Sequence, residues 1–169
     1  FERVHTCLVK KDSYIGNVNG VMNAVITNGQ PLGESILQGE GAGPGPTSSA
    51  LMSDLLSILR GNIKYPFGIP SYKRKKITSY NKDLYLNSFY LRFEVKDKPG
   101  VLSSITNIFA KNKISIKNLI QKPNKKNNKA SIIILTHENI EKNFNKLLLN
   151  LTQNKFVLKK PTFIRIEKI

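Results

Sequence analysis

From residue 89 onward, apolar and polar positions follow regular periods. Phe89, Leu91, Phe93 and Val95 alternate with Tyr90, Arg92 and Glu94, the period of a half-buried strand. Asp97-Lys98-Pro99-Gly100 predicts a turn. Val101, Ile105, Ile108 and Phe109 then fall at helical spacing, and Ile114, Ile116 and Ile120 return to alternation. The Asn/Lys-rich run 122–129 predicts a hairpin loop, and ASIIILT (130–136) a third, central strand. Ile140, Phe144, Leu147, Leu148 and Leu151 predict a second helix. Ile164 and Ile166, alternating with Phe163, Arg165 and Glu167, predict a last strand. The order β-α-β-β-α-β predicts a ferredoxin-like arrangement. One face of its antiparallel sheet is covered by two helices, and the other meets another sheet or water.

Before residue 72 the periods are shorter. YIGNVNGVMNAVIT (14–27) reads as two short strands or strand-like runs broken by the turn signal Asn-Val-Asn-Gly, and Glu34–Gln38 as another strand. Four glycines and two prolines then crowd GEGAGPGP (39–46). Pro46 and the hydroxyls of Thr47, Ser48 and Ser49 predict a helix start. Leu51, Leu55 and Ile58 form one apolar row, and Met52, Leu56 and Leu59 a second beside it. An arc this wide predicts a helix buried on more than one side, ending at Gly61. The stretch 61–88 holds no sustained period and carries Lys73-Arg74-Lys75-Lys76, so it reads as a linker or extended arm. The expected class is α+β, with one domain over 1–72, a basic linker over 73–88 and a second domain over 89–169.

The chain has 169 residues and a formal charge of +16. Basic and acidic side chains balance up to residue 72, so the whole excess lies in the second part. Such charge raises nucleic acid as a partner. The asparagine-rich texture of KPNKKNNK (122–129) favours a solvated surface instead. A base-stacking sheet would also need exposed aromatic side chains, and Tyr90 is the only one on the outward row of the first strand. No run of about 18 apolar residues is present, and no secretory pattern opens the chain. The single cysteine, Cys7, predicts a reducing, cytoplasmic compartment.

No convincing catalytic set emerges. His5 and His137 are far apart and lack metal-ligand spacing. His5 and Cys7 share a strand face, with no third group in sequence to orient the base. The glycine run fails the dinucleotide fingerprint, because Pro44 and Pro46 stand where glycines belong. It fails the P-loop pattern too, for want of a lysine before the hydroxyls. Two readings of the loop stay open. Its glycines let main chain approach a ligand beside a helix start, or they make a tight packing corner.

At this point the residues resemble a family. The Arg-Val-His start, the run Asn17 to Ala24 (NVNGVMNA) and the run Gly39 to Ala50 (GEGAGPGPTSSA) resemble the end of the catalytic region of homoserine dehydrogenases. LRFEVKDKPGVL (91–102) through Ile114-Ser115-Ile116 resembles an ACT domain, a regulatory module that many bacterial members carry there. The resemblance implies NAD(P)-dependent interconversion of L-homoserine and L-aspartate 4-semialdehyde, in threonine, methionine and isoleucine biosynthesis. It implies that the nucleotide-binding domain, the catalytic lysine and the substrate carboxylates precede the matching segment. The chain therefore reads as a C-terminal piece, inactive alone, with no catalytic residue and no metal site of its own. It would supply part of the substrate and dimerisation region plus the ACT domain. Gly41, Ala42 and Gly43 would lie against the nicotinamide end of a cofactor held mainly by the preceding domain. The helix Ser48–Arg60 would pack back on that domain. Asp97, Gly100, Ser115 and Asn118 would bind an amino-acid effector, threonine as the pathway's end product, in a homodimer or larger homo-oligomer. The competing reading is a stand-alone amino-acid-sensing module without catalysis. Neither nucleic acid nor membrane is an expected partner.

Overall fold

The computed structural model describes residues 3–62, 65, 68–76, 80–124 and 128–167. The chain forms two compact units, one of Phe1–Lys10 with Ser79–Lys168 and one of Lys11–Thr78. The first ten residues belong with the second part because β1 (Cys7–Leu8) runs parallel to β8 (Thr162–Ile166), Cys7 beside Arg165 and Leu8 beside Ile166.

In this unit, β4 (Leu86–Lys96), α2 (Val101–Lys111), β5 (Ile116–Asn124), β6 (Lys129–Thr136), α3 (Glu141–Thr152) and β8 follow in the expected order. The sheet runs β1-β8-β4-β6-β5. Strands β8, β4, β6 and β5 are antiparallel neighbours throughout, the ferredoxin-like topology with β1 added at an edge. A short β7 (Asn139–Ile140) pairs with the start of β4. Alternation on β4 buries Asn87, Phe89, Leu91, Phe93 and Val95, and on β6 it buries Ala130, Ile132, Ile134 and Thr136. Val101, Ile105 and Phe109 of α2 and Phe144, Leu147 and Leu151 of α3 close the core. Phe89 stacks on Phe144 at 3.5 Å between ring centroids, and Phe163 meets Phe144 edge-on at 5.3 Å, geometries favourable beyond their area.

An ionic cluster lies at the margin of the core. Glu141, 4% exposed, accepts hydrogen bonds from Asn87 Nδ2 (3.1 Å) and Arg165 Nε (3.3 Å), and a second Arg165 nitrogen pairs with its other oxygen. Arg3 approaches the same carboxylate at 3.7 Å and lies over the Tyr85 ring. The segment before β1 is thereby fastened to the start of α3.

Several expectations change. Ile120 does not continue the inward row of Ile114 and Ile116. A bulge between Ile116 and Asn118 puts an extra residue in β5, so Leu119 packs on the core and Ile120 turns outward, 49% exposed. The hairpin is tighter than 122–129, since β5 reaches Asn124 and β6 begins at Lys129; its tip, 125–127, lies outside the described residues. Of the linker 73–88, residues 77–79 also lie outside them, Lys82–Leu84 forms a short 3-10 turn, and strand begins at Leu86.

In the other unit, residues 14–27 do not make two strands. Ile15–Asn17 is a 3-10 turn, with Ser13 Oγ accepting from Gly16 N, and only β2 (Met22–Gly29) is strand. It pairs antiparallel with β3 (Gly33–Glu40), from Met22 beside Glu40 to Gly29 beside Gly33. Helix α1 spans Pro44–Leu59 and so starts two residues before Pro46. Both prolines fit because first-turn N–H groups have no helical acceptor. The hydroxyls do not cap it: Ser48 Oγ donates to Pro44 O at 2.6 Å. Nor is α1 buried. Leu51 is 66% and Leu59 73% exposed, and Met52, Leu55, Leu56 and Ile58 are exposed as well. The apolar arc is present, but it stands exposed in its own unit among the described residues.

Candidate functional site

The glycine loop joins β3 to α1, so its position is set by the hairpin. Gly41 N donates to Val21 O at 2.9 Å, which holds the strand exit against the start of β2. The Asn23 carboxamide lies across Gly41 where a Cβ would be, and any side chain at 41 would overlap it. Gly43 has φ 124° and caps the helix, a conformation that favours glycine. These two glycines thus have different causes, close approach at 41 and backbone geometry at 43. Asn23 and Gly41 come from the two sequence runs singled out above.

Beside the loop is a cavity of about 310 Å³ lined by Gly41, Glu40, Pro46, Thr47, Ala50 and Asp54, with Leu51. Of the three loop residues expected to meet a cofactor, Gly41 lines it, whereas Ala42 and Gly43 do not. Two carboxylates, Glu40 and Asp54, were not anticipated. The signal for Asp54 was its spacing: Thr47, Ala50 or Leu51, and Asp54 share one face of α1.

The second candidate lies at the turn after β4. Asp97, Gly100 and Gln121 line a cavity of about 160 Å³ with Lys98, Pro99 and Leu102. Gly100 adopts the left-handed conformation (φ 82°) that reverses the chain into α2. Asp97 N donates to Asn128 O at 2.8 Å, and Gln121 Nε2 donates to Asp97 Oδ1 at 3.3 Å. Ser115 and Asn118 are not brought to this cavity. Asn118 pairs with Leu135, which pairs with Tyr90. That is six residues along the ladder from Lys96, roughly 20 Å at strand spacing. Ser115 precedes β5, its carbonyl accepting from His137 N. Gln121, missed in the sequence, takes its place at the turn because the β5 register runs through the bulge.

Elsewhere His5 has a carboxylate neighbour that the sequence did not place, Glu167, at 3.5 Å from Nε2; its Nδ1 lies 3.0 Å from Thr6 O. Cys7 is a half-buried free thiol. Among the described residues no group of three or more His, Cys, Asp or Glu side chains gathers to hold a metal. No helix among them is long and apolar enough to cross a membrane.

Comparison with known proteins defines first the class: residues 89–154 match the ACT domain, in agreement with the sheet order and helices of that unit. Residues 2–56 match the homoserine dehydrogenase family. One part of the chain is thus similar to homoserine dehydrogenases and the next to an ACT domain. It is 36% identical over 165 residues to the homoserine dehydrogenase of Helicobacter pylori, covering 98% of this chain and 39% of that protein. It is 34% identical over 173 residues to that of Neisseria gonorrhoeae, covering 99% and 40%. The crystal structure of a homoserine dehydrogenase from Thiobacillus denitrificans is similar with a TM-score of 0.82 and 32% identity, over 96% of this chain and 38% of that one. The chain spans about two fifths of the length of the curated relatives it matches.

Proposed function

We propose that the chain works as the C-terminal part of an NAD(P)-dependent homoserine dehydrogenase, interconverting L-homoserine and L-aspartate 4-semialdehyde in the synthesis of threonine, methionine and isoleucine. The observation that carries this reading is the pairing of Asn23 with Gly41 at the mouth of a helix whose apolar arc is exposed. The loop is built for close approach, and the helix is built for a covering polypeptide. In this reading Gly41 to Gly43 floor the nicotinamide end of the cofactor, whose phosphates a preceding domain holds. The exposed arc of α1 meets that domain or a second copy, in a homodimer or larger assembly. The lone free thiol of Cys7 supports a reducing, cytoplasmic setting.

The ACT unit supplies amino-acid feedback, with threonine as the effector and Asp97, Gly100 and Gln121 as its contacts at the turn. The small cavity there supports this role, with a carboxylate for an ammonium group and a helix start for a carboxylate. Ser115 and Asn118 would take part only from a neighbouring copy.

The test is turnover. The 169-residue chain alone oxidises no NADPH with aspartate semialdehyde. Joined behind the preceding three fifths of a matched relative, it supports turnover well above background. Activity of the chain alone, or a dead but folded fusion, would refute the reading.

A further inference from the structure

The sheet face turned away from α2 and α3 carries Tyr90 beside Ile164 and Leu135, and Arg92 beside Thr162 and Ile133. Between β4 and β8 it dips into a cavity of about 420 Å³, a volume typical of small-ligand sites. Tyr90, Arg92, Glu94, Lys159, Lys160 and Ile164 line it, with Thr162 at the edge. Three cations and one carboxylate thus share one concave surface over an apolar floor. Among the described residues, none of these four charged side chains is engaged in an ion pair. Like charges gathered without partners repel, and a ligand of opposite sign relieves that.

We propose that this cavity binds an α-amino acid with an acidic side chain. Its two carboxylates meet Arg92 and the Lys159–Lys160 pair, its ammonium meets Glu94, and its methylenes lie over Tyr90 and Ile164. The charges match in sign and number to within one: two anions and a cation against three cations and an anion. The site is distinct from the turn cavity, which opens on the helix-covered face beside Val95, Val101 and Ile132. The choice of an amino acid rests on the sensing role proposed for this unit. The location rests on the cavity and its uncommitted charges.

The test is titration of the isotope-labelled 169-residue chain, read by amide chemical shifts, with L-aspartate, succinate, L-threonine and inorganic phosphate as separate probes. L-aspartate is expected to saturate at millimolar concentration and to move the amides of Arg92, Thr162 and Ile164. Arg92→Gln is expected to weaken it at least tenfold. Glu94→Gln is expected to weaken L-aspartate while leaving succinate unchanged or tighter, because succinate lacks the ammonium. Absence of saturable shifts at β4 and β8 with L-aspartate would overturn the inference, as would phosphate saturating the cavity where L-aspartate does not. Threonine shifting only residues 97–102 supports sensing at the turn independently. If it does so while L-aspartate leaves the open face unmoved, this inference fails and the sensing role stands.

Discussion

At Gly41 two demands meet. The Asn23 carboxamide occupies the space of a Cβ, and in the proposed enzyme a cofactor ring approaches the same backbone. Each demand has its own signature. Gly41→Ala is expected to leave stability within about 0.5 kcal/mol, because the obstacle is the end of the exposed Asn23 side chain, which can turn away, and to raise the KM for NADPH about tenfold in the joined enzyme. Adding Asn23→Ala, which removes that side chain, should leave the melting temperature nearly unchanged as well. It should leave the KM raised, because the methyl still stands in ligand space. Calorimetry and initial-rate kinetics on the two variants separate these effects. The sequence marked Gly41 by its glycine-rich run and Asn23 by its Asn-Ala run. It could not join them, because the contact depends on β2 and β3 pairing with Met22 opposite Glu40.

At the scale of elements, legibility follows the periods. Strands β4 and β6, buried on one face, announce themselves by alternation, and α2 and α3 by their apolar spacing. Strand β1 is two residues long and has no room for a period; its place beside β8 is decided by an edge that only the folded sheet offers. The β5 bulge was equally silent, since one inserted residue reverses the facing of everything after it, and so Gln121 rather than Ile120 faces the helix side at the turn. Helix α1 is the opposite case: its apolar arc was plain, but its burial was not a property of this chain. Leu55 is half exposed, so Leu55→Glu should change the stability of the chain by no more than about 0.5 kcal/mol. In the joined enzyme the same substitution should desolvate a charge against the covering surface. Light scattering is expected to find a smaller assembly, with turnover reduced in step.

For the whole molecule, the distribution of buried side chains separates the two units energetically. Among the described residues, every residue of the hydrophobic core belongs to the ACT unit. The other unit offers a two-stranded hairpin and a helix without a single buried residue, and a two-stranded sheet is marginal in water by itself. Local stability follows such burial. In the 169-residue chain, amides of β4 and β6 are therefore expected to exchange with solvent only through global opening of their unit, whereas those of β2, β3 and α1 exchange orders of magnitude faster. Phe144→Ala, which removes the ring stacked on Phe89, should cost the ACT unit about 3–5 kcal/mol and accelerate exchange throughout that unit while leaving β2, β3 and α1 unchanged. In the joined enzyme the covering surface should slow exchange in α1, while β4 stays at its own limit. Equal protection of α1 and β4 in the isolated chain would mean that α1 is buried without a partner, and the case for a covering polypeptide would fall with it.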